Sequence, residues 1–364
     1  MSVYHRMSRA TQDFALSELS FADLDGFAVD DHIEAFSVFR RSCAAMVAAR
    51  PVLRQAVASS PALLAVCRAA LTEPLGDRAR ARRFFETHFR PYRVETRASK
   101  GHKLGFFTGY YEPVVKGSLT RTAAFTAPLL SRPADLPAAA DGAAPYPDRA
   151  AIESGAIASH AAPIVWLSDP IEVFLIQVQG SARVRLPDGR LLRLVYAGRN
   201  GQPYTSIGRV LIEAGEIAEA EMSLARLKAW VRDHGQEPGQ AGRALMQRNK
   251  SYVFFALDPT LDPADGPIGG QGVNLAPLRS IAVDRTIWPY GSPVWIDAKI
   301  PWASSAPSPF RRLMVAQDTG SAIIGPARAD IFFGSGDDAG ARAGDIRDAG
   351  EFIVFLPTEE GFSR

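Results

Sequence analysis

The sequence predicts a mainly β protein of the α+β class, with its helices gathered towards the N-terminal end and with two domains. Three observations carry that expectation. The 364 residues, 47% of them hydrophobic, exceed one average domain and hold ample apolar material for packed cores. The 30 glycines and 26 prolines supply the tight turns that many short strands need. Short runs rich in β-branched and aromatic residues, among them RSIAVD, SPVWIDA, RLMVAQ, ADIFFG and EFIVFLP, fill the last third of the chain.

Periodicity places each element in turn. Across residues 31–50 the apolar Ile33, Phe36, Phe39 and Met46 recur at helical spacing, with Asp30 or Asp31 placed to cap the first turn. A second helix is expected over 61–71 and a third, strongly basic one over 77–89, whose arginines form a solvated face rather than a binding patch. The pattern then changes, and LGFFTGYYEPVV at 104–115 reads as strand and turn. Residues 121–162, dense in Ala and Pro, predict a loop-rich excursion with a short helix near 150–154. Next, VFLIQVQGSARVRLPDGRLLRLVYAG flanks the turn Pro187-Asp188-Gly189 with alternating runs and predicts a β-hairpin or meander, on which Gln177 and Gln179 would share one face. One more helix is expected over 223–233, and no internal repeat of fixed period is present.

Composition excludes several function classes. The 41 Lys and Arg against 39 Asp and Glu leave a net charge of +2, which gives no electrostatic reason to expect nucleic acid or an anionic membrane as partner. No window approaches the ~20 apolar residues of a membrane span, and neither an export signal nor a lipid-attachment cysteine is visible. Cys43 and Cys67, the 2 cysteines, lack neighbouring histidines, so no metal site is expected. Both fall in expected helices, either as buried thiols or as a disulfide, the latter indicating an oxidising compartment.

The densest polar cluster on a β scaffold is AQDTGSAIIGPARADIFFGSGDDAGARAGD, in which Asp318 ends one apolar strand and Asp330 begins the next. Paired acids at strand ends are one way a fold separates two carboxyl pKa values, although turn-rich β domains also place aspartates there for Asx-turns. Asp318-Thr319-Gly320-Ser321 matches the pepsin-like signature too. A pepsin-like enzyme of this length needs that tripeptide twice, and it occurs once.

The segment resembles the three-aspartate domain of the membrane-bound lytic murein transglycosylase A family, whose acids match Asp284 in RSIAVDRTIWPYGSPVW, Asp318 and Asp330. GFFTGYYEP at 105–113, FLIQVQGSARVRLPDG at 174–189, YAGRNGQPYTSIGR at 196–209 and NKSYVFFALD at 249–258 resemble blocks of the same family in the same order, as does FADLDGFAVDDHIEAFSVFRRSC near the start. The likeness runs over about residues 21–357. Ile324 departs from it, standing where family members often have Lys, and Asp337 begins a doubled acid.

The resemblance implies a double-psi β-barrel with N-terminal helices, formed by residues 1–116 and 246–364, and a smaller β-rich glycan-binding domain inserted at 117–245, with a groove between them. It implies cleavage of peptidoglycan glycan strands to 1,6-anhydro ends, without cofactor. Asp330 would be the catalytic acid and base, supported by Asp318 and Asp284. Burial by Ile331, Phe332 and Phe333 and repulsion from Asp318 would keep Asp330 protonated. Because sugars present apolar faces and hydroxyl edges, Tyr110, Tyr111, Glu112, Gln177, Gln179, Ser181 and Tyr204, with Trp288 and Tyr290 from the barrel, are the candidate glycan contacts, each with core packing as its alternative. A monomer is expected, in the periplasm or on the periplasmic face of the outer membrane, with other cell-wall enzymes as possible partners. Two alternatives stand beside this reading: an inverting hydrolase on the same barrel with Asp318 activating water, and a non-catalytic peptidoglycan-binding protein.

Overall fold

In the structure, a computed structural model, residues 14–74, 76–96, 104–137, 146–258, 262 and 265–358 are described. The chain forms two compact units, the first made of residues 1–110, 268–334 and 345–364, the second of 111–267 and 335–344.

The first unit is a closed barrel with a helical layer. Its strands, numbered in chain order, are β1 (Phe14–Glu18), β2 (Phe89–Thr96), β3 (Gly105–Glu112, up to Tyr110 here), β10 (Ser280–Val283), β11 (Pro293–Ile300), β12 (Ser308–Asp318), β13 (Arg328–Ser335, up to Gly334 here) and β14 (Arg347–Pro357). They run in the order β1-β2-β14-β11-β12-β10-β13-β3, and a further pairing of β14 with β3 closes six of them into a barrel. Closure removes the free edges that an open sheet would expose. Most pairs are antiparallel, whereas β10 and β12 run parallel.

Helices α1 (His32–Val47), α2 (Pro61–Thr72) and α3 (Arg78–His88) begin where side-chain acceptors sit: Asp31 receives the amide of Glu34, Ser60 that of Leu63 and Asp77 that of Arg80. Phe36, Phe39, Phe84 and Phe85 pack with Trp295, Leu313, Val315 and Phe355 of the barrel. A buried ion pair adds direction to this apolar contact. Arg279 donates to both carboxylate oxygens of Asp30, each at 2.8 Å, and Asp30 also accepts the amide of Leu313 at 2.9 Å.

The second unit holds a six-stranded sheet in the order β5-β6-β4-β7-β8-β9. These are β4 (Val114–Ser118), β5 (Ala127–Leu130), β6 (Pro163–Leu167), β7 (Ala182–Arg185), β8 (Leu191–Arg199) and β9 (Val253–Asp258). The hairpin β7-β8 turns at the expected Pro187-Asp188-Gly189, with Gly189 at φ 87°. Its helices are α4 (Arg149–Glu153), α5 (Pro170–Gln179), α6 (Ile207–Glu213), α7 (Leu224–Asp233), α8 (Ala241–Arg248) and α9 (Asp337–Gly344).

α5 corrects the sequence reading, which made FLIQVQ a strand. A short, continuous apolar run has no period that separates a buried strand from a buried helix. The boundaries decide the matter: Asp169 caps the start, Pro170 fills the first turn, and Gly180 ends the helix in a left-handed conformation at φ 82°. α6, α8 and α9 are further helices absent from the sequence reading.

Cys43 of α1 and Cys67 of α2 are joined in a disulfide across 24 residues, with Cα atoms 4.7 Å apart. A loop of that size implies roughly 3 kcal/mol of stabilisation in the chain-entropy account. Reduction, or Cys43→Ser with Cys67→Ser, is therefore expected to lower the melting temperature by several degrees; an unchanged transition under reductant would show that the bridge does not hold the helices.

Candidate active site

The two acids singled out in the sequence meet across the short central strand β10. Ala282 is the register partner of Asp330 on β13 and of Asp318 on β12, so a small side chain lies between the two carboxylates, all on one face. The register is not regular. Ile281 stands opposite Ala316 and Ala282 opposite Asp318, so Gln317 is bulged out of the ladder. Without that extra residue Asp318 would turn to the other face.

Gln317 is held in its bulge by a saturated polar network. Its amide oxygen accepts from Ser280 Oγ at 2.5 Å, and its nitrogen donates to Ser42 Oγ at 2.8 Å and to Val38 O at 3.2 Å. Gln271 completes the network by accepting from Ser42 Oγ at 2.8 Å and donating its amide N–H to the Gln317 carbonyl at 3.1 Å. Gln317→Leu would leave the buried hydroxyls without this partner, at about 1–3 kcal/mol for each unsatisfied group. It is expected to lower stability and activity together, as measured by chemical denaturation beside turnover; full activity in a destabilised variant would separate the bulge from the site.

β3 lies on the other side of β13 and supplies two hydroxyls. Tyr110 donates to Asp318 Oδ2 at 3.0 Å, while Asp318 Oδ1 accepts the amides of Gly270 at 2.7 Å and Thr319 at 2.8 Å. Thr108 donates to Asp330 Oδ1. Arg328, two residues before Asp330 and on its face of the strand, donates to Thr108 Oγ1 at 2.7 Å. A hydroxyl has one hydrogen, so an incoming bond from Arg328 directs that hydrogen to Asp330. Oδ2 of Asp330 is left with no hydrogen-bond partner among the described residues. Neither Thr108 nor Arg328 was identified from the sequence; the period-2 spacing of Arg328 from Asp330 was the available signal.

Burial raises the Asp330 carboxyl above its ordinary value. Arg328 and the Thr108 bond oppose that shift, and the charge of Asp318 adds to it. Of the three residues expected to desolvate Asp330, only Phe332 shares its strand face; Ile331 and Phe333 alternate to the other. Phe332 joins Tyr110, Leu275, Ala282 and Ile323 in a small apolar cluster under the carboxylates, with the rings of Tyr110 and Phe332 5.3 Å apart. Burial also lifts the Tyr110 phenol, as do Asp318 and Asp330, which keeps it a neutral donor.

Asp284, the third acid, ties down the loop that leads into β13. One oxygen accepts from the amide and hydroxyl of Thr286 at 3.0 and 2.7 Å, and the other accepts the Gly325 amide at 2.7 Å. Trp288 holds the next residue, donating Nε1–H to Pro326 O at 2.7 Å, and its ring is stacked 6.0 Å from Phe352. Tyr290 donates to Arg54 O at 3.0 Å. Trp288 and Tyr290 are buried, whereas Ile324, immediately before the tied Gly325 and Pro326, is 74% exposed.

The remaining candidates lie in the second unit. Glu112 is fully buried and paired with Arg183 at 2.7 Å and Arg193 at 3.4 Å, and it accepts from Ser335 at 2.6 Å, so its carboxylate organises that unit's interior. Gln177 is also buried, accepting at 2.6 Å from Arg149, whose guanidinium further binds the carbonyls of Asn249 and Ser251. Gln179 is partly exposed at the end of α5 and accepts the Tyr111 amide at 3.1 Å. Two residues apart on a helix, the glutamines point about 160° away from one another, so the shared face expected from the strand reading does not exist. Tyr111 lies against Gly340 of α9, where an added Cβ would come within 2.7 Å of the ring. Its phenol is pushed up to about 12 by burial and by Glu172 and Asp337. Ser181 is buried and Tyr204 partly exposed. Among the described residues no group of three His, Cys, Asp or Glu side chains is placed to hold a metal ion.

A half-buried carboxyl of raised pKa on a closed six-stranded barrel, in a chain that also carries an inserted second β unit, is the class of protein that fold and site define. Residues 279–356 match the 3D domain, and residues 106–256 match the MltA specific insert domain. The chain is similar to the crystal structure of a membrane-bound lytic murein transglycosylase from Agrobacterium tumefaciens, at 32% identity and a TM-score of 0.82, covering 94% of this chain and 98% of that one. It is similar also to Escherichia coli MltA solved with bound chitohexaose, at 27% identity and a TM-score of 0.66, covering 96% and 95%. In sequence it is 33% identical over 256 residues to the membrane-bound lytic murein transglycosylase A of Vibrio cholerae, a match covering 69% of this chain and 65% of that protein's length. The chain belongs to the membrane-bound lytic murein transglycosylase A family.

The neighbours of Asp330 shift its carboxyl in opposite senses, which gives a signed test. Arg328→Met removes a cation that lowers the pKa and is expected to move the alkaline limb of the activity profile to higher pH. Asp318→Asn removes a like charge and is expected to move that limb to lower pH. Profiles that shift together, or not at all, would show that Asp330 is not the titrating acid.

Proposed function

We propose that this protein is a lytic transglycosylase that cleaves the β-1,4 bond between N-acetylmuramic acid and N-acetylglucosamine in peptidoglycan, with Asp330 as its one acid and base. The observation that carries the reading is the state of Asp330: a carboxyl raised by burial, with Oδ1 fixed by Thr108 and Oδ2 left to hold a proton.

Most glycosidases use two carboxyl groups because one protonates the leaving oxygen while the other attacks or activates water. Here the second role passes to the substrate. Asp330 donates its proton to the glycosidic oxygen as the bond from that oxygen to C1 of the muramyl ring breaks. The C6 hydroxyl of the same ring then bonds to C1 and releases its proton to the Asp330 carboxylate. The aspartic acid is restored, no water is consumed, and the product is a 1,6-anhydro sugar. Intramolecular attack supplies much of the advantage that positioning gives elsewhere. The three donors on Asp318 speak against water activation by that residue, because both its oxygens are already engaged.

The chitohexaose bound by the Escherichia coli protein supports a glycan as ligand, and the barrel with the inserted unit as the body that binds it. The membrane-bound relatives and the Cys43–Cys67 disulfide support a place in the oxidising cell envelope. Among the described residues no helix is long and apolar enough to cross a membrane.

Asp330→Asn keeps an oxygen for Thr108 but cannot exchange the proton. It is expected to abolish release of anhydro-muropeptides from purified sacculi, read by mass spectrometry as products lighter by one water than hydrolytic ones. The sign for stability is opposite. A carboxyl whose folded pKa is raised binds its proton more tightly in the folded state, so its contribution falls as pH rises from the unfolded value through the folded one. The variant's melting temperature at neutral pH is therefore expected to equal or exceed that of the parent. Near-normal turnover, or products with reducing ends, would refute the single-acid mechanism.

A further inference from the structure

Within the second unit lies a cleft of about 270 Å³ between β4, α5, α7 and the start of α9. Pro113, Val114 and Val115 contribute an apolar wall, and Tyr111, Lys116, Glu172, Lys228, Arg232 and Asp337 contribute the polar part. One rim is a closed ion network: Glu172 receives Lys228 at 2.8 Å and Arg232 at 2.9 Å. The other rim is different. Lys116 on β4 and Asp337 at the head of α9 are exposed and have no ion pair among the described residues. The ring of Tyr111 is fixed between these rims by its close packing on Gly340.

Such lining is unsuited to sugar alone. Where the lactyl carboxyl of the muramyl ring is amide-linked to a stem, the sugars of a glycan strand are neutral, and the groups that recognise them are amides, hydroxyls and aromatic faces. A cleft with charges of both signs and a short apolar wall matches a ligand that carries an ammonium, a carboxylate and small aliphatic side chains. In peptidoglycan those groups belong to the peptide stems. We infer that this cleft of the inserted unit binds a peptide stem of the substrate, with Asp337 and the Tyr111 hydroxyl receiving an ammonium group, Lys116 a carboxylate, and Val114 and Val115 an alanine methyl. The inference rests on the peptidoglycan reading above and deepens it by assigning the non-glycan part of the substrate.

The test reads binding, so it is independent of the turnover assay for the transglycosylase mechanism. In the full chain carrying Asp330→Asn, dissociation constants are measured by calorimetry for stem-bearing glycan oligomers and for a hexamer of N-acetylglucosamine, which has no stem. Lys116→Ala and Asp337→Asn are each expected to weaken the stem-bearing ligand about threefold, the scale of an exposed ion pair, with a smaller change for the hexamer. Lys116→Met replaces the alanine variant if the latter melts early. Equal weakening of both ligands would make the cleft a sugar subsite, and no change for either would make it an ordinary surface ion network; each of these results overturns the assignment.

Discussion

One irregular step in a β ladder holds the site together. β10 and β12 pair in register until Gln317, which is pushed out so that Asp318 rather than Gln317 faces Ala282. Side chains in a strand alternate, so a single extra residue decides which of two neighbours reaches a given face. A bulge of this kind persists only where the displaced residue is otherwise satisfied. Gln317 is, through Ser280, Ser42 and Gln271, and the helix α1 that carries Ser42 is in turn held to the barrel by the Asp30–Arg279 pair. The position of one carboxylate thus depends on a polar network that begins in the N-terminal helices.

Around Asp330 the protein balances opposed effects rather than maximising one. Burial in a barrel favours the neutral acid, while Arg328 and Thr108 favour the anion. In the acid–base role proposed for Asp330 both forms need to be within reach, and neighbours of opposite effect bring them closer in energy. Both oxygens of Asp318 are engaged by fixed donors, three in all, which hold its carboxylate in place beside Asp330.

The second unit uses charge in two ways. Glu112 with Arg183 and Arg193, and Arg149 with Gln177 and two main-chain carbonyls, are buried, and removing one partner from such a set leaves a charge without solvent. These residues orient the interior. Lys116 and Asp337 are exposed, and their ionic capacity faces outwards. The distinction is invisible in a sequence, where Glu112 beside Tyr110 and Tyr111 has the composition of a ligand site as readily as that of a core.

By itself the sequence determined the class and the cast: a β-rich chain with capped N-terminal helices, the Pro187-Asp188-Gly189 hairpin, and Asp318 and Asp330 at the ends of successive strands, with Asp284 added by the family resemblance. Those features are local, since caps, turns and alternation act within a few residues. It misread FLIQVQ because a short apolar run fits strand or helix equally well, and with it the shared face of Gln177 and Gln179. Only the tertiary structure decided that Asp318 faces Asp330 across an alanine, that Thr108 donates to Asp330 while accepting from Arg328, and that Trp288, Tyr290 and Glu112 are buried. The physical reason is that register, burial and hydrogen-bond direction are properties of contacts between residues far apart in the chain, 222 positions for Thr108 and Asp330 and 283 for Asp30 and Leu313, and no local pattern encodes them.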